Sequence, residues 1–124
     1  MKRISPSDAP KPVAAYSAGL EAAGVVYTAG QVGIDPASGR LVDGLEAQAR
    51  LAFSHIGAVI RAAGLGVRDI AKITIFMTDL SQFSIVNPIF EEFVGDHRPA
   101  RSTVGAAALP LGALIEVEAI AVRT

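Results

Sequence analysis

The chain has no cysteine and no tryptophan, and aromatic residues make up only 6% of its 124 positions. Without cysteine there is no disulfide framework, no thiolate nucleophile and no soft metal ligand. The only imidazoles are His55 and His97, far apart in sequence and outside any metal-binding spacing, so no metal and no cofactor is expected. An excess of one charge is also missing: 11 Lys+Arg against 12 Asp+Glu give a formal net charge of -1, with no basic run. Such a chain is weakly drawn to phosphate backbones and offers few stacking platforms for bases, so nucleic acid is not an expected partner. Long apolar runs are absent too. The longest uncharged stretch, Ser102 to Ile115, is 14 residues with Gly and Pro inside it, too short and too interrupted to span a bilayer. At the N-terminus, MKRISPSDAPKPVAAYSAG places Asp8, Lys11 and three prolines where a signal peptide keeps an apolar segment. The expectation is a soluble cytoplasmic protein with no membrane partner.

What the chain does have is apolar surface. Hydrophobic residues reach 51% and mean hydropathy is +0.43, more than a small monomer easily hides, which points to oligomerisation. The length is that of one domain, 1–124, with a single core.

Periodicity divides the chain into alternating elements. The run AGVVYTAGQVGID (Ala23 to Asp35) is β-branched and aromatic, and DPASGRLV supplies turn residues, predicting a strand that enters a hairpin. From Leu45 the apolar residues Ala49, Ala52, Phe53, Ile56, Val59, Ile60 and Ala63 recur at helical spacing, with Gly64 as the stop. DIAKITIFMTDL alternates again, with Ile73, Ile75 and Met77 on one face. Asn87 followed by Pro88 predicts a cap and first turn for a second helix, with Ile89, Phe90 and Phe93 facing inward. ARSTVGA and ALIEVEAIAVRT then read as two further strands. The expected fold class is α+β, a β-β-α-β-α-β-β sandwich with both helices on one sheet face. Residues 1 to 12 carry no clear ordering signal.

The last strand singles out the chemistry. Ile115, Val117, Ala119 and Ala121 form an apolar face suited to lie under the helices, whereas Leu114, Glu116, Glu118, Ile120 and Val122 mix carboxylates with large apolar groups. Solvent-facing strands seldom keep such aliphatics, and buried ones seldom keep two glutamates. A subunit interface holding a polar cleft satisfies both. Arg101, opening the preceding strand, has the fork geometry of a carboxylate clamp, and a solvated arginine or a structural Arg–Glu pair fits equally well. Glu116 lies 15 residues further on, a spacing that suits two antiparallel strands or a contact across an interface. A carboxylate there can direct a water, or be half-buried beside a cation. Glu118 reads better as a salt-bridge partner. Tyr16 can wall a site or simply pack, Gly30 permits close backbone approach or a bulge, and the histidines lie outside any nucleophile motif.

At these residues the chain resembles the RidA / YjgF reactive-intermediate deaminases, also called endoribonuclease L-PSP. The resemblance covers nearly the whole chain and is carried by YTAGQVGIDPASGRLV, by AAGLGVRDIAKITIFMTDLSQFSIVN, and above all by RPARSTV with IEVEAIAV. It implies a chorismate mutase-like fold and a barrel-like homotrimer with clefts at the subunit interfaces. It also implies that Arg101 binds a substrate carboxylate, that Glu116 positions the attacking water, and that Tyr16, Gly30, Asn87 and Thr103 lie at or near the cleft. The sequence departs from the family pattern at Ala14-Ala15, where many members have Gly-Pro, at Ala29 in place of Ser, and at Thr103 in place of Cys. The activity implied is hydrolysis of 2-aminoacrylate-type enamines and 2-imino acids to 2-keto acids and ammonia, without metal or cofactor. Alternatives are a trimer that binds 2-keto acids without turnover, and a deaminase of a pathway-specific enamine such as an aminomuconate.

Overall fold

The structure is a computed structural model that describes residues 1–124. Strands β1 (Lys2–Ile4), β2 (Gly19–Ala22), β3 (Val25–Thr28), β6 (Ile70–Met77), β7 (Ala100–Gly105) and β8 (Ile115–Val122) form one sheet in the order β1-β2-β3-β8-β6-β7. All neighbours are antiparallel except β6 and β7, which are parallel and therefore need a crossover. Helix α2 (Phe83–Val94) is that crossover, and α1 (Leu45–Ala62) joins a small hairpin, β4 (Ile34–Asp35) and β5 (Arg40–Leu41), to β6. Two helices on one side of a mixed sheet is the α+β architecture expected.

Alternation in the central strands explains which side the helices take. Ile73, Ile75 and Met77 of β6 and Ile115, Val117 and Ala121 of β8 are fully buried, with Ala119 3% exposed. The in-between residues of both strands face the uncovered side. The helical apolar stripe read from Leu45 to Ala63 lands on this surface, with Ala49, Ala52, Ile56 and Val59 fully buried. Phe53 of α1 meets Phe90 and Phe93 of α2 at ring centroid distances of 6.1 and 5.2 Å, locking the helices together. Helix α1 ends as expected at Gly64, whose φ is +79°. Leu65 N–H donates to the Ile60 carbonyl and Gly64 N–H to that of Arg61, a Schellman closure that uses carbonyls the helix leaves free.

Three expectations need correction. The run from Ala23 to Asp35 is not one strand: β3 stops at Thr28, and the chain re-forms as β4 at Ile34. Helix α2 starts at Phe83, not at Pro88, because Asp79 Oδ1 accepts from Ser81 N–H and caps a short 3-10 turn, Leu80–Gln82, that runs straight into it. Pro88 therefore sits inside the helix and leaves the Ser84 carbonyl without its usual donor. Both residues are on the exposed side, where the carbonyl is open to solvent. Finally, residues 2–4 are ordered as the edge strand β1, with Ile4 only 3% exposed, because Gly19 gives them a partner strand.

Candidate active site

The break after β3 builds one half of the site. Tyr27 pairs with Ile120 and Gln31 with Val117, so three residues on the β3 side face two on β8, a bulge. Thr28 Oγ1 fills the gap by accepting from Ala119 N–H at 3.0 Å, Ala29 N–H turns away to the Ala18 carbonyl, and Gln31 resumes backbone exchange with Val117 at 2.8 and 3.0 Å. The bulge swaps faces: Gln31 turns inward, 7% exposed, and Gly30 is set against the side chain of Glu116. A Cβ on Gly30 would stand 2.7 Å from Glu116 Oε2, so any larger residue there would make the carboxylate shift. Glu116 pairs with Phe76 on the uncovered sheet face. Partial burial, and then the neighbouring Glu118 carboxylate, push its pKa up from the usual carboxylate range. Glu118 itself is exposed and in no ion pair, contrary to the salt bridge expected of it.

Tyr16, Gly30, Gln31, Ile34, Lys11 and Glu116 line a cleft of about 680 Å³. Its rim is held in place by two residues the sequence reading passed over or left unassigned. Gln48, 5% exposed on α1, donates to the Val42 carbonyl after the hairpin and accepts from Leu114 N–H just before β8. His55, 1% exposed, donates from Nε2 to the Ile34 carbonyl at 2.7 Å, while its Nδ1 is buried without a partner. Burial lowers its pKa. His97 is likewise engaged with a backbone carbonyl, that of Ile70, at 2.8 Å. Neither ring stands beside Glu116.

The other half lies elsewhere. Arg101 on β7 pairs with Ile73, whose side chain points under the helices, so Arg101 emerges on the helix side at the sheet edge. Its guanidinium carbon sits 4.8 Å from the ring centres of both Phe83 and Phe90, and Nη1 donates to Asn87 Oδ1 at 2.9 Å. Phe83, Asn87 and Phe90 are spaced i, i+4, i+7 on α2, one helix face turned to the guanidinium. Asn87 Nδ2 in turn donates to Glu91 Oε1 at 2.9 Å. Asn87 is thus a support within the helix, where a cap had been expected. No carboxylate lies within ion-pair distance of Arg101, so a cation stacked on two rings is left with its fork open. Thr103 follows two residues on, paired with Ile75 on the same face.

The two halves do not meet within the chain. β6 lies between β7 and β8, Arg101 is level with Ala119 rather than Glu116, and their side chains leave opposite faces. Two strand spacings across and three residues along amount to roughly 10 Å in each direction. The antiparallel pairing suggested by the 15-residue spacing does not occur.

Known proteins share this arrangement of elements. The Endoribonuclease L-PSP family profile matches residues 6–123. A 2-iminobutanoate/2-iminopropanoate deaminase of Salmonella typhimurium is 42% identical over 125 residues, covering 98% of each chain. The crystal structure of Escherichia coli TdcF with bound serine aligns over 100% of both chains with a TM-score of 0.95 at 38% identity. That of RidA from an Antarctic Psychrobacter aligns over 99% of this chain and 100% of its own, with a TM-score of 0.95 at 36% identity. Fold and sequence agree from end to end, and the chain belongs to the Endoribonuclease L-PSP family, the RidA / YjgF group.

Proposed function

We propose that the protein hydrolyses 2-aminoacrylate-type enamines, through their 2-imino acid tautomers, to 2-keto acids and ammonia. One observation supports this reading: an open guanidinium and a carboxylate of raised pKa sit on opposite faces of one sheet, apart within a single copy, and we infer that two copies bring them together. In a cyclic homotrimer each interface joins the Arg101 side of one subunit to the Glu116 side of the next. The uncovered face offers the area for it, with Tyr27 47%, Val104 41% and Leu114 36% exposed.

The chemistry asks little of the protein. The imine carbon is already electrophilic, so no strong nucleophile has to be made, and the step requires neither metal nor cofactor. Arg101, supported by Asn87, clamps the substrate carboxylate and fixes C2. Glu116 takes a proton from water as the water oxygen bonds to C2. It then passes that proton to the nitrogen, giving a carbinolamine, and in a second transfer carries the C2 hydroxyl proton to the same nitrogen, so that the C–N bond breaks, ammonia leaves and the C2 oxygen becomes the keto group. A carboxylate of raised pKa suits both transfers, being a stronger base and a readier donor. Thr103 and the backbone at Gly30 line the path between clamp and base, and Tyr16 walls the cleft. The relative that holds serine, whose carboxylate and nitrogen share one carbon as in a 2-imino acid, supports this choice of ligand.

The test is keto acid release from freshly generated 2-iminopropanoate and bulkier imino acids by wild type, Arg101→Ala and Glu116→Ala. Losing a charge-assisted bidentate contact costs about 1.5–3 kcal/mol, so Arg101→Ala should lower kcat/KM by ~10- to 150-fold or more. Glu116→Ala should chiefly lower kcat. No acceleration by wild type with any imino acid would remove the deaminase reading and leave a trimer that binds 2-keto acids.

A further inference from the structure

The cleft beside Glu116 contains one cation that the reaction above does not use. Lys11 lines it, and Glu116 is the only carboxylate among the lining residues. The adjoining hollow of about 550 Å³ shares Ser7, Lys11 and Tyr16 and adds Arg3, Ser5 and Ser17, with no carboxylate at all. Neither Lys11 nor Arg3 takes part in any ion pair within the chain. Positive charge and hydroxyls therefore gather in the cleft that Glu116 lines and in the hollow that adjoins it.

The backbone holds Lys11 there. Pro10 and Pro12 flank it, so the φ angles on either side are fixed and Lys11, as the residue before a proline, is confined to extended conformations. Ala9, 4% exposed, and Ala18, 3% exposed, pin the segment to the body at both ends. A lysine on a free tail would lose its rotamer and backbone freedom on binding. Here much of the backbone part is already lost before any ligand arrives.

Resting on the deaminase reading, we propose that Lys11 is a specificity-determining residue that binds a second, distal carboxylate, so that the preferred substrates are 2-imino dicarboxylates, the imines of acidic amino acids. The α-carboxylate lies on Arg101 of one copy, C2 beside Glu116 of the next, and the distal carboxylate on Lys11 of that same second copy. A monocarboxylate leaves the ammonium facing an empty end of the cleft. The volume fits as well: about 680 Å³ lies within the range of pockets that hold ligands far larger than an imine of three carbons.

The experiment generates 2-iminoglutarate and 2-iminobutanoate in situ with an amino acid oxidase and compares kcat/KM for wild type, Lys11→Ala and Lys11→Arg. Wild type should favour the dicarboxylate, Lys11→Ala should reduce that preference about 10-fold, and Lys11→Arg should restore most of it. No preference in wild type, or a Lys11→Ala effect equal for both substrates, overturns the proposal. Calorimetric binding of 2-oxoglutarate against 2-oxobutanoate separates it from the reading beneath it. If no imino acid is turned over, the deaminase reading fails, and the Lys11 assignment stands only if wild type binds 2-oxoglutarate more tightly and Lys11→Ala does not. Equal affinities overturn it.

Discussion

Gly30 shows how much of this site is decided by a missing atom. The carboxylate of Glu116 occupies the volume where a Cβ at position 30 would stand, with Oε2 2.7 Å from it. Gly30→Ala should therefore push the carboxylate off its line by the better part of an ångström while the bulge and its neighbouring hydrogen bonds persist. A misplacement of that size lowers kcat by ~100-fold, measured on imino acid hydrolysis, with a circular dichroism spectrum like that of wild type. A variant as active as wild type would show that Glu116 needs no such seat. At this scale the residue types were legible: Arg101 after Pro99-Ala100, and Glu116 among aliphatics, stand out in the sequence as candidates for a clamp and a base. Their surroundings were not. The stacking of Phe83 and Phe90 on the guanidinium depends on a helix register that starts at Phe83, and the sequence signal at Asn87-Pro88 pointed five residues too late. The i, i+4, i+7 spacing of Phe83, Asn87 and Phe90 was the available clue.

Elements act through their ends and edges. The hairpin β4–β5 rims the cleft, and α1 fastens it through His55 Nε2 to the Ile34 carbonyl. Burial lowers the pKa of His55, with the Ile34 bond and the more distant Asp8 acting the other way. A depressed folded-state pKa means that the unfolded chain binds the proton first as pH falls below about 6.5. The stabilisation is fully present above that pH and is lost as pH falls through the folded value. Wild type should lose thermal stability between pH 7 and pH 5 more steeply than His55→Gln, whose amide can still donate to Ile34 but does not titrate, at equal protomer concentration. Parallel slopes in a melting series would show that His55 does not govern this range. The helical period of α1, its glycine stop and the alternation of β6 and β8 were all readable, because one face of each is buried. The division of the Ala23 to Asp35 run was not. A bulge in which Thr28 Oγ1 stands in for a backbone acceptor leaves no periodic trace.

The whole molecule explains the composition from which the sequence reading began. A chain with 51% hydrophobic residues covers one sheet face with its own helices and leaves the other open, the face that the proposed shared site assigns to copies of the chain. That same uncovered face carries Glu116, while Arg101 stands on the opposite side of the sheet at its edge. The order β8-β6-β7 makes the separation unavoidable, and no reading of the linear spacing could supply it. The high apolar content, and within the last strand two glutamates among Leu114, Ile120 and Val122, were the residue-level reasons to expect an interface there.

The most direct measurement is therefore complementation. Arg101→Ala and Glu116→Ala, each expected to be strongly impaired alone, are denatured together, refolded as an equal mixture and assayed for imino acid hydrolysis. In a ring of randomly mixed subunits, roughly a quarter of the interfaces join an intact arginine to an intact glutamate. The mixture should thus recover about 25% of wild-type activity. A mixture no more active than the average of its two components would contradict a site shared between subunits, and with it the reading that Arg101 and Glu116 act on one substrate.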